Sequence, residues 1–360
     1  MAETATPPPP DAGNRHVHWF GNGTSALYAA LRGVGCRNGW VAVAPTVCPH
    51  VIAAIYASSN RPHFVDIERI RLGMNPAGLA KVVSQVDAVV AVHAFGIPCL
   101  IDELVTIAQA AGVPLIEDCA QAEGAAYRGK TVGEFGDVAI FSYGAGKIIE
   151  AGGGGRSQTG NPELAGAIGK LHAGMTAPTD AASAASQALS QAFKNIYNNH
   201  YPDKLASERA HFHRELVELF PSMLCRDDDS TRVRCSTALL RLENNLATRH
   251  RNWRTYHFLL GPLSEPALPF PEGAVPWRYN LMLPAARRNA TLKALLAEKL
   301  RISSWYPNIA AFLPQTEIRV ADADNSEWLG SGIFNLAIDE KTTAAEINHN
   351  SERLLSLHAA

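Results

Sequence analysis

Short apolar segments alternate with helical segments through the first part of the chain, and this alternation limits the fold more than any other feature. The apolar segments are rich in β-branched residues and lie at 40–44, 63–67, 87–95, 113–118 and 137–143. Strands of this kind are buried on both faces, as in a parallel sheet covered by helices. The segments between them have helical periodicity. The sequence therefore predicts an open α/β sheet, whose ligands bind beyond the carboxyl ends of the strands.

The rest of the chain predicts a smaller α+β region. Helical periodicity dominates from about 160 to 260. Later strand and helix candidates lie at 277–284, 289–300, 332–338 and 343–357. We expect a disordered tail over 1–15, because a run of prolines occupies it. The predicted division of the remainder is a large domain over 16–235 and a small C-terminal domain over 236–360.

Charge and cysteine content restrict the classes of partner and the compartment. Lysine plus arginine number 32 against 34 acidic residues, so the net charge of -2 gives no basis for nucleic acid or an anionic membrane as a partner. The 6 cysteines include no CxxC pair, which favours reduced thiols and a cytoplasmic location. The N-terminal segment lacks the pattern of a secretory signal. We expect small-molecule partners and no metal site.

Lys147 lies in FSYGAGKIIEAGGGG (141–155), just after a strand candidate. A nucleotide-binding loop of the G-x-x-x-x-G-K-[ST] type needs a hydroxyl residue after the lysine and a glycine at its first position. Ile148 and Phe141 stand at those two positions, so the sequence excludes this loop. Ser142, at the end of the strand candidate, lies on the ligand-binding edge of the predicted sheet with Lys147.

A second glycine-rich segment, GNGTSA (21–26), precedes the first predicted helix. A dinucleotide-binding loop is followed about 20 residues later by an acidic residue for the ribose, whereas the first acid here is Asp66. The segment is therefore a poor match to a dinucleotide site. Amide groups at a helix start nevertheless bind phosphate, which makes Gly23, Thr24 and Ser25 candidate phosphate ligands.

Asp118 ends a buried strand candidate, where a carboxylate is costly unless it meets a cation or strong donors. The alternative is a helix N-cap, because alanine-rich sequence follows. Taken together, the helix start at 23–25, Asp118, Ser142 and Lys147 match the needs of pyridoxal 5'-phosphate. Its aldehyde needs a lysine, its ring nitrogen a carboxylate, and its phosphate amide and hydroxyl donors.

These residues resemble the DegT/DnrJ/EryC1/StrS sugar aminotransferase family, a branch of fold-type I pyridoxal phosphate enzymes. The block IEDCAQAEGAAYRGKTVGEFGDVAIFSYGAGK (116–147) carries most of the resemblance. Weaker matches include RISSWYPNI and GIFNLAIDEKTTAAEI near the C-terminus. The resemblance implies a mostly parallel, seven-stranded-type sheet with helices on both faces, a smaller α+β C-terminal domain, and a homodimer with shared active sites.

The resemblance also implies roles for individual residues. Lys147 corresponds to the Schiff-base lysine and general base, Asp118 to the partner of the pyridinium nitrogen, and Gln121 to a contact near the phenolic oxygen of the ring. The phosphate ligands would be nearby amides and the hydroxyls of Thr24, Ser25 and Ser142.

Further candidates each have a structural alternative. The family stacks an aromatic residue on the ring near Cys48 and Pro49, neither of which is aromatic, so His50 is the substitute stacking candidate. His93 follows a strand and either lines the pocket or is a hydrogen-bonded core histidine. The remaining substrate candidates are Arg232 and Arg234, otherwise surface arginines, and the aromatic rings of Trp305 and Tyr306, otherwise core residues.

The chain departs from the family's pattern after the lysine. Ile148 replaces the usual asparagine, and EAGGGG replaces TTGEGG, with Glu150 and Ala151 for the threonines and Gly153 for the acid. The segment before the phosphate loop is also shorter. These departures leave the cofactor chemistry intact and put the usual nucleotide-sugar substrate in doubt.

The resemblance implies ping-pong transfer of an amino group from glutamate or glutamine to a keto sugar, keto cyclitol or related compound, in specialised-metabolite or surface-sugar biosynthesis. One alternative keeps the cofactor but catalyses elimination or cyclisation, and Ile148 and Gly153 point to it. A second is a non-catalytic binding or regulatory relative. The set of Asp118, Gln121, Ser142 and Lys147 argues against that alternative.

Overall fold

The computed structural model describes residues 13–200, 206–264 and 266–359. In chain order its strands are β1 (His16–Phe20), β2 (Trp40–Val43), β3 (Arg61–Phe64), β4 (Ala88–Val92), β5 (Leu115–Asp118), β6 (Ala126–Tyr127), β7 (Lys130–Thr131), β8 (Val138–Ser142), β9 (Gly155–Thr159), β10 (Tyr279–Met282), β11 (Ile302–Ser303), β12 (Arg319–Val320) and β13 (Ile333–Leu336).

The main sheet has 8 strands in the order β1-β9-β8-β5-β4-β2-β3-β12. Neighbours from β8 to β12 are parallel, whereas β9 runs antiparallel to both β1 and β8. The parallel register pairs Val92 with Asp118 and Asp118 with Ile140. The carboxyl ends of β4, β5 and β8 therefore meet at one edge of the sheet.

The α-helices, in chain order, are α1 (Gly23–Gly33), α2 (Pro49–Ala57), α3 (Pro76–Val82), α4 (Ile101–Ala111), α5 (Pro162–Ala173), α6 (Asp180–His200), α7 (Ala206–Met223), α8 (Asp229–Leu239), α9 (Leu242–Leu260), α10 (Ala285–Ala297), α11 (Asp324–Gly332) and α12 (Ala344–Ala359). Side-chain oxygens of Asn22, Asn75, Asn161 and Asp228 accept hydrogen bonds from first-turn amides of α1, α3, α5 and α8. Such caps satisfy amides that have no partner inside the helix.

The predicted, mostly parallel α/β sheet is confirmed, and its central strands explain why. Residues 88–91 of β4 are 0% exposed, so this strand is covered on both faces as its continuous apolar sequence predicted. The seven-stranded expectation is exceeded, because the short β12 from the C-terminal half pairs with β3 at the edge.

Strand β9 was not predicted, because its sequence GRSQT is polar although all of its residues are buried. Arg156 explains how the strand is accommodated. Its guanidinium carbon lies 3.9 Å from the ring centroid of Phe141, and Nη2 donates to Glu123 Oε1 at 2.9 Å. A buried charge is tolerated when it is paired and hydrogen-bonded in this way.

A second, smaller apolar core forms in the C-terminal part around β10, β11 and β13, an antiparallel sheet. Buried residues between 306 and 313 belong instead to the core of the main sheet. The domain boundary at 235/236 stays a prediction. The first 12 residues of the predicted tail lie outside the described part, and Arg15 Nη2 donates to the Glu134 carbonyl oxygen at 2.7 Å. Among the described helices, none combines the length and apolarity needed to span a membrane.

Candidate active site

Asp118 and Lys147 approach each other at the carboxyl edge of the main sheet. Asp118 ends β5 and is 4% exposed, and its Oδ1 accepts a hydrogen bond from the Ala120 amide at 2.9 Å. Burial raises the pKa of Asp118, and the positive charge of Lys147 opposes this rise. The alternative of a helix N-cap is wrong, because residues 119–125 form turns and no helix. Asp118 is therefore a buried carboxylate within the electrostatic reach of a lysine.

The backbone around Lys147 is held by residues from the C-terminal half. Arg249 in α9 donates from Nη2 to the carbonyl oxygens of Lys147 and Ile148 at 3.1 and 3.3 Å. Trp277 Nε1 donates to the carbonyl oxygen of Gly146 at 2.8 Å. Lys147 itself is half-buried. These bonds fix the loop that carries the lysine, so its side chain projects from a defined backbone.

The start of α1 lies against Ser142 at the end of β8. A Cβ atom on Gly23 would come within 2.7 Å of the Ser142 Cβ and 2.9 Å of its Oγ. Only a glycine permits this approach, which brings the first amides of α1 beside the serine hydroxyl. Helix amides and a hydroxyl converging in this way form a cradle suited to phosphate.

Thr24 and Ser25 occupy different surroundings within that first turn. Thr24 is 8% exposed. The Ser25 hydroxyl donates to Asn22 Oδ1 at 3.0 Å and accepts from the Cys225 amide at 3.0 Å. In the structure Ser25 thus ties α1 to the segment after α7. The phosphate roles of Thr24 and Ser25 stay predictions.

Gln121 and Tyr306 meet beside the Asp118–Lys147 pair. Gln121 Nε2 donates to the Tyr306 hydroxyl at 2.8 Å, and Gln121 Oε1 accepts from the Phe95 amide at 2.7 Å. Burial raises the pKa of Tyr306, and Cys48 and Asp118 add to the rise. The structure therefore brings Tyr306 to the candidate site. Trp305 instead stacks on Phe193 at 5.4 Å between ring centroids.

Cys48 and His50 form a polar contact at the same edge. Cys48 Sγ lies 3.4 Å from His50 Nδ1, and His50 Nε2 lies 3.1 Å from Ser186 Oγ. Burial raises the pKa of the Cys48 thiol, but His50 and Lys147 together hold it below its usual value. Both candidates thus lie near Lys147. The stacking role of His50 stays a prediction.

His93 lies in the core and has hydrogen-bond partners on both ring nitrogens. It is 0% exposed, its Nε2 lies 3.1 Å from Glu117 Oε2, and its Nδ1 accepts from the Cys99 amide at 3.2 Å. This matches the alternative of a hydrogen-bonded core histidine. Cys119 Sγ is also close, but the bonds already made by His93 and Glu117 occupy the atoms that a metal ion would need.

Arg232 and Arg234 point to different partners. Arg232 Nη2 pairs with Asp227 at 2.7 Å. Arg234 is exposed, and its Nε donates to the Ala151 carbonyl oxygen at 3.3 Å, so it contacts the glycine-rich segment after Lys147. Their substrate roles stay predictions.

The departures after Lys147 have structural explanations. Ile148 is 1% exposed and packs in the main core. Gly153 has φ 138°, a conformation that favours glycine, and its amide donates to the Tyr143 carbonyl oxygen at 3.3 Å. Glu150 Oε2 accepts from the Gly146 amide at 3.0 Å. These residues shape the loop that carries the lysine.

Arg249, Trp277 and Arg278 were not predicted as site residues. Trp277 and Arg278 were recognised only as part of the strand candidate 277–284, and Arg249 as part of a helical segment. A tryptophan and an arginine next to each other at the start of a strand candidate were the available signal, but nothing local showed which loop they contact.

Comparisons with known proteins identify the family of the chain. Residues 11–193 match the model of the DegT/DnrJ/EryC1/StrS aminotransferase family. The chain is 34% identical over 158 residues to GDP-perosamine synthase of Escherichia coli O157:H7, covering 42% of this chain and 43% of that protein. It is 37% identical over 165 residues to an L-glutamine:2-deoxy-scyllo-inosose aminotransferase of Streptoalloteichus tenebrarius. This match covers 45% of this chain and 39% of that protein.

The match to these curated relatives spans less than half of their length. A crystal structure of a DegT DnrJ EryC1 StrS aminotransferase from Brucella abortus superimposes with a TM-score of 0.73 at 21% identity, covering 97% of this chain and 87% of that chain. The structural likeness establishes the fold. With the family model matching 11–193, the chain belongs to the DegT/DnrJ/EryC1/StrS aminotransferase family.

Proposed function

We propose that the chain is a pyridoxal phosphate-dependent aminotransferase that moves an amino group from glutamate or glutamine to a keto sugar, keto cyclitol or related keto compound. The observation that carries this proposal is the meeting of Asp118, Lys147 and the Gly23–Ser142 cradle at one edge of the sheet. The names of the relatives, a perosamine synthase and a scyllo-inosose aminotransferase, support the acceptor class.

The residues present fit this cofactor. Lys147 would hold its aldehyde, and Asp118 its ring nitrogen, because a positive ring nitrogen offsets the cost of burying the carboxylate. Gln121, already oriented by Phe95 and Tyr306, would flank the ring. When bound, pyridoxal phosphate supplies an aldehyde that captures amines and a ring that stabilises negative charge.

The chain's own residues then do three things. The start of α1 and Ser142 would anchor the phosphate, and Asp118 would keep the ring nitrogen protonated. Lys147 Nζ takes and returns the proton that moves during amino transfer, as a general base and acid. Arg249 and Trp277 keep the lysine-bearing loop in place for both half-reactions.

Two finer features belong to the same proposal. A homodimer with shared active sites is supported by the family and by the exposed apolar side chains of Val233 and Leu240, which are 56% and 78% exposed at α8. A cytoplasmic location is supported by the 6 cysteines, all of which are free in the structure.

The proposal is tested by spectroscopy and isotope transfer. Purified protein given pyridoxal phosphate should show an absorbance band near the visible edge, lost with borohydride, and mass spectrometry should then find the cofactor attached to Lys147. Lys147→Ala should lack the attachment and lower the rate by about 100- to 10,000-fold. Nitrogen-15 from labelled glutamate or glutamine should appear in the acceptor.

Cofactor attachment without transfer of label to any keto sugar or keto cyclitol would contradict transamination and favour elimination or cyclisation. A protein that takes up no cofactor would contradict the whole proposal.

A further inference from the structure

Arg278 carries a positive charge, and no carboxylate of the described residues forms an ion pair with it. It is half-buried immediately before β10, and its Nη1 donates to Ser303 Oγ at 3.1 Å. Among the ion pairs of the described residues none includes Arg278. The carboxylate of Asp339 acts on it from a distance but is bonded to Arg301 at 2.8 and 2.9 Å. Within the described part of the chain, Arg278 is therefore a half-buried cation without an ion-pair partner.

The fully buried arginines Arg156, Arg249 and Arg288 each have polar partners. Arg156 pairs with Glu123 at 2.9 Å. Arg249 and Arg288 donate to backbone carbonyl oxygens, as in the bond from Arg249 to Trp277 at 2.8 Å. Burying a guanidinium without such partners costs free energy. An anionic ligand bound by the other N–H groups of Arg278 would offset this cost.

The position of Arg278 places such a ligand beside Lys147. Its Nη2 lies 3.6 Å from the point that a Cβ on Gly146 would occupy, and Gly146 precedes the lysine. Its guanidinium carbon lies 4.8 Å from the ring centroid of Trp277, whose Nε1 holds the Gly146 carbonyl oxygen. The charge of Arg278 also opposes the rise in the pKa of Tyr306, the residue that accepts the hydrogen bond from Gln121.

The chemistry of the ligand follows from the geometry of the guanidinium. Its planar fork binds a carboxylate through two parallel hydrogen bonds. The amino donor carries a carboxylate on the carbon that bears its amine, so this group must lie close to the reacting lysine. A neutral keto sugar or cyclitol ring has no such group. We propose that Arg278 binds the α-carboxylate of the amino donor, an inference that rests on the proposed aminotransferase function.

Calorimetric titration of the cofactor-loaded protein tests the proposal with two ligands. The first is 2-methyl-L-glutamate, which has the α-carboxylate but lacks the hydrogen needed for turnover. The second is 4-aminobutyrate, which lacks the α-carboxylate. Arg278→Met should weaken the binding of 2-methyl-L-glutamate by about 10- to 100-fold, the usual effect of losing a charge-assisted pair. Binding of the second should change by less than about threefold.

Two further variants make the test specific. Arg278→Lys keeps the charge without the planar fork. Its affinity for 2-methyl-L-glutamate should lie between those of the wild type and Arg278→Met. Arg254 lies on the exposed face of α9, and Arg254→Met should bind both ligands with the affinity of the wild type. Equal weakening of both ligands by Arg278→Met, or no weakening of either, would overturn the proposal.

Cofactor uptake, measured first by absorbance, separates this proposal from the proposed function. If the wild type takes up no cofactor, the aminotransferase function fails. The same titrations of the cofactor-free protein with L-glutamate and 4-aminobutyrate then decide the Arg278 proposal. If the wild type binds L-glutamate more tightly than 4-aminobutyrate and Arg278→Met abolishes this difference, the Arg278 proposal is supported. If the wild type shows no such difference, the proposal is overturned.

Discussion

Arg249 Nη2 donates a hydrogen bond to the carbonyl oxygen of Lys147 at 3.1 Å, across 102 positions of sequence. The same guanidinium bonds Asn245 Oδ1 at 2.7 Å and the Trp277 carbonyl oxygen at 2.8 Å. Burial lowers the pKa of Arg249 to about 10, so the side chain remains charged at neutral pH. Its hydrogen bonds link α9, the segment at 277 and the lysine loop.

Arg249→Met should destabilise the protein by about 2–4 kcal/mol, because several buried acceptors lose their donor together. Urea unfolding followed by circular dichroism measures the change. The exposed Arg254→Met on the same helix serves as the matched control and should remain within about 0.5 kcal/mol of the wild type. Similar stability of the two variants would show that the bonds to the lysine loop contribute little.

Gly23→Ala should weaken cofactor uptake, because the added methyl group would displace Ser142 from the start of α1. We expect a dissociation constant for pyridoxal phosphate at least about 10-fold higher, the loss of about one hydrogen bond to a charged group. Gly166→Ala in α5 meets nothing within 4 Å and is the matched control. It should leave uptake unchanged and stabilise the helix by about 0.5–1 kcal/mol. Equal uptake by both variants would argue against a cradle at Gly23.

Glu117→Gln should remove a pH-dependent part of the stability. Burial raises the pKa of Glu117, but His93 and the backbone amides of 133 and 136 outweigh it and hold the pKa below its usual value. The ionised carboxylate therefore stabilises the fold above the unfolded-state pKa, and this contribution is lost as the pH falls through the folded-state pKa. The difference in unfolding free energy between the wild type and Glu117→Gln should be largest near neutral pH.

The difference should shrink below about pH 4.5, the unperturbed glutamate range. It is measured by urea unfolding at a series of pH values. A difference that stays constant from neutral to acidic pH would show that the carboxylate charge is not the stabilising feature.

Cys48 should react with iodoacetamide at lower pH than Cys119 in the cofactor-free protein. His50 and Lys147 lower the pKa of Cys48 despite its burial, whereas burial raises the pKa of Cys119 to about 12. Since the thiolate is the reactive form, alkylation of Cys48 should be the faster of the two at neutral pH. Peptide mass spectrometry measures both rates in one sample.

His50→Ala should shift the pH midpoint of Cys48 alkylation upward and slow the reaction at neutral pH. Ser186→Ala tests the other contact of the histidine and should have a smaller effect, because it does not touch the thiol. An unchanged midpoint in His50→Ala would exclude the histidine as the cause of the lowered pKa.

Much of the sheet and the main pair of site residues could be predicted from the sequence. The segments that form β2, β4, β5 and β8 are largely apolar, so their composition alone predicts that they are buried. Because ligands bind where parallel strands end, Asp118 and Lys147 could be placed at one edge before any contact was known. The continuous block 116–147 then identified the family.

Features that depend on contacts between distant segments could not be predicted from the sequence. The polar strand β9 is buried only because Arg156 finds Glu123 and the Phe141 ring there. The position of His93 after a strand does not distinguish a pocket residue from a core residue. Its bonds to Glu117 and Cys99 show that it is a core residue.

The α/β sheet, and the sheet edge that carries Asp118 and Lys147, follow from the amino-acid sequence alone, because apolar periodicity and strand ends are local properties. The folded chain adds that Arg249 bonds the lysine loop and that Arg278 lies beside it, with no ion-pair partner among the described residues. Both arginines lie more than 100 residues beyond the lysine. Their roles depend on where the folded chain places hydrogen-bond acceptors and charges, which no local pattern records.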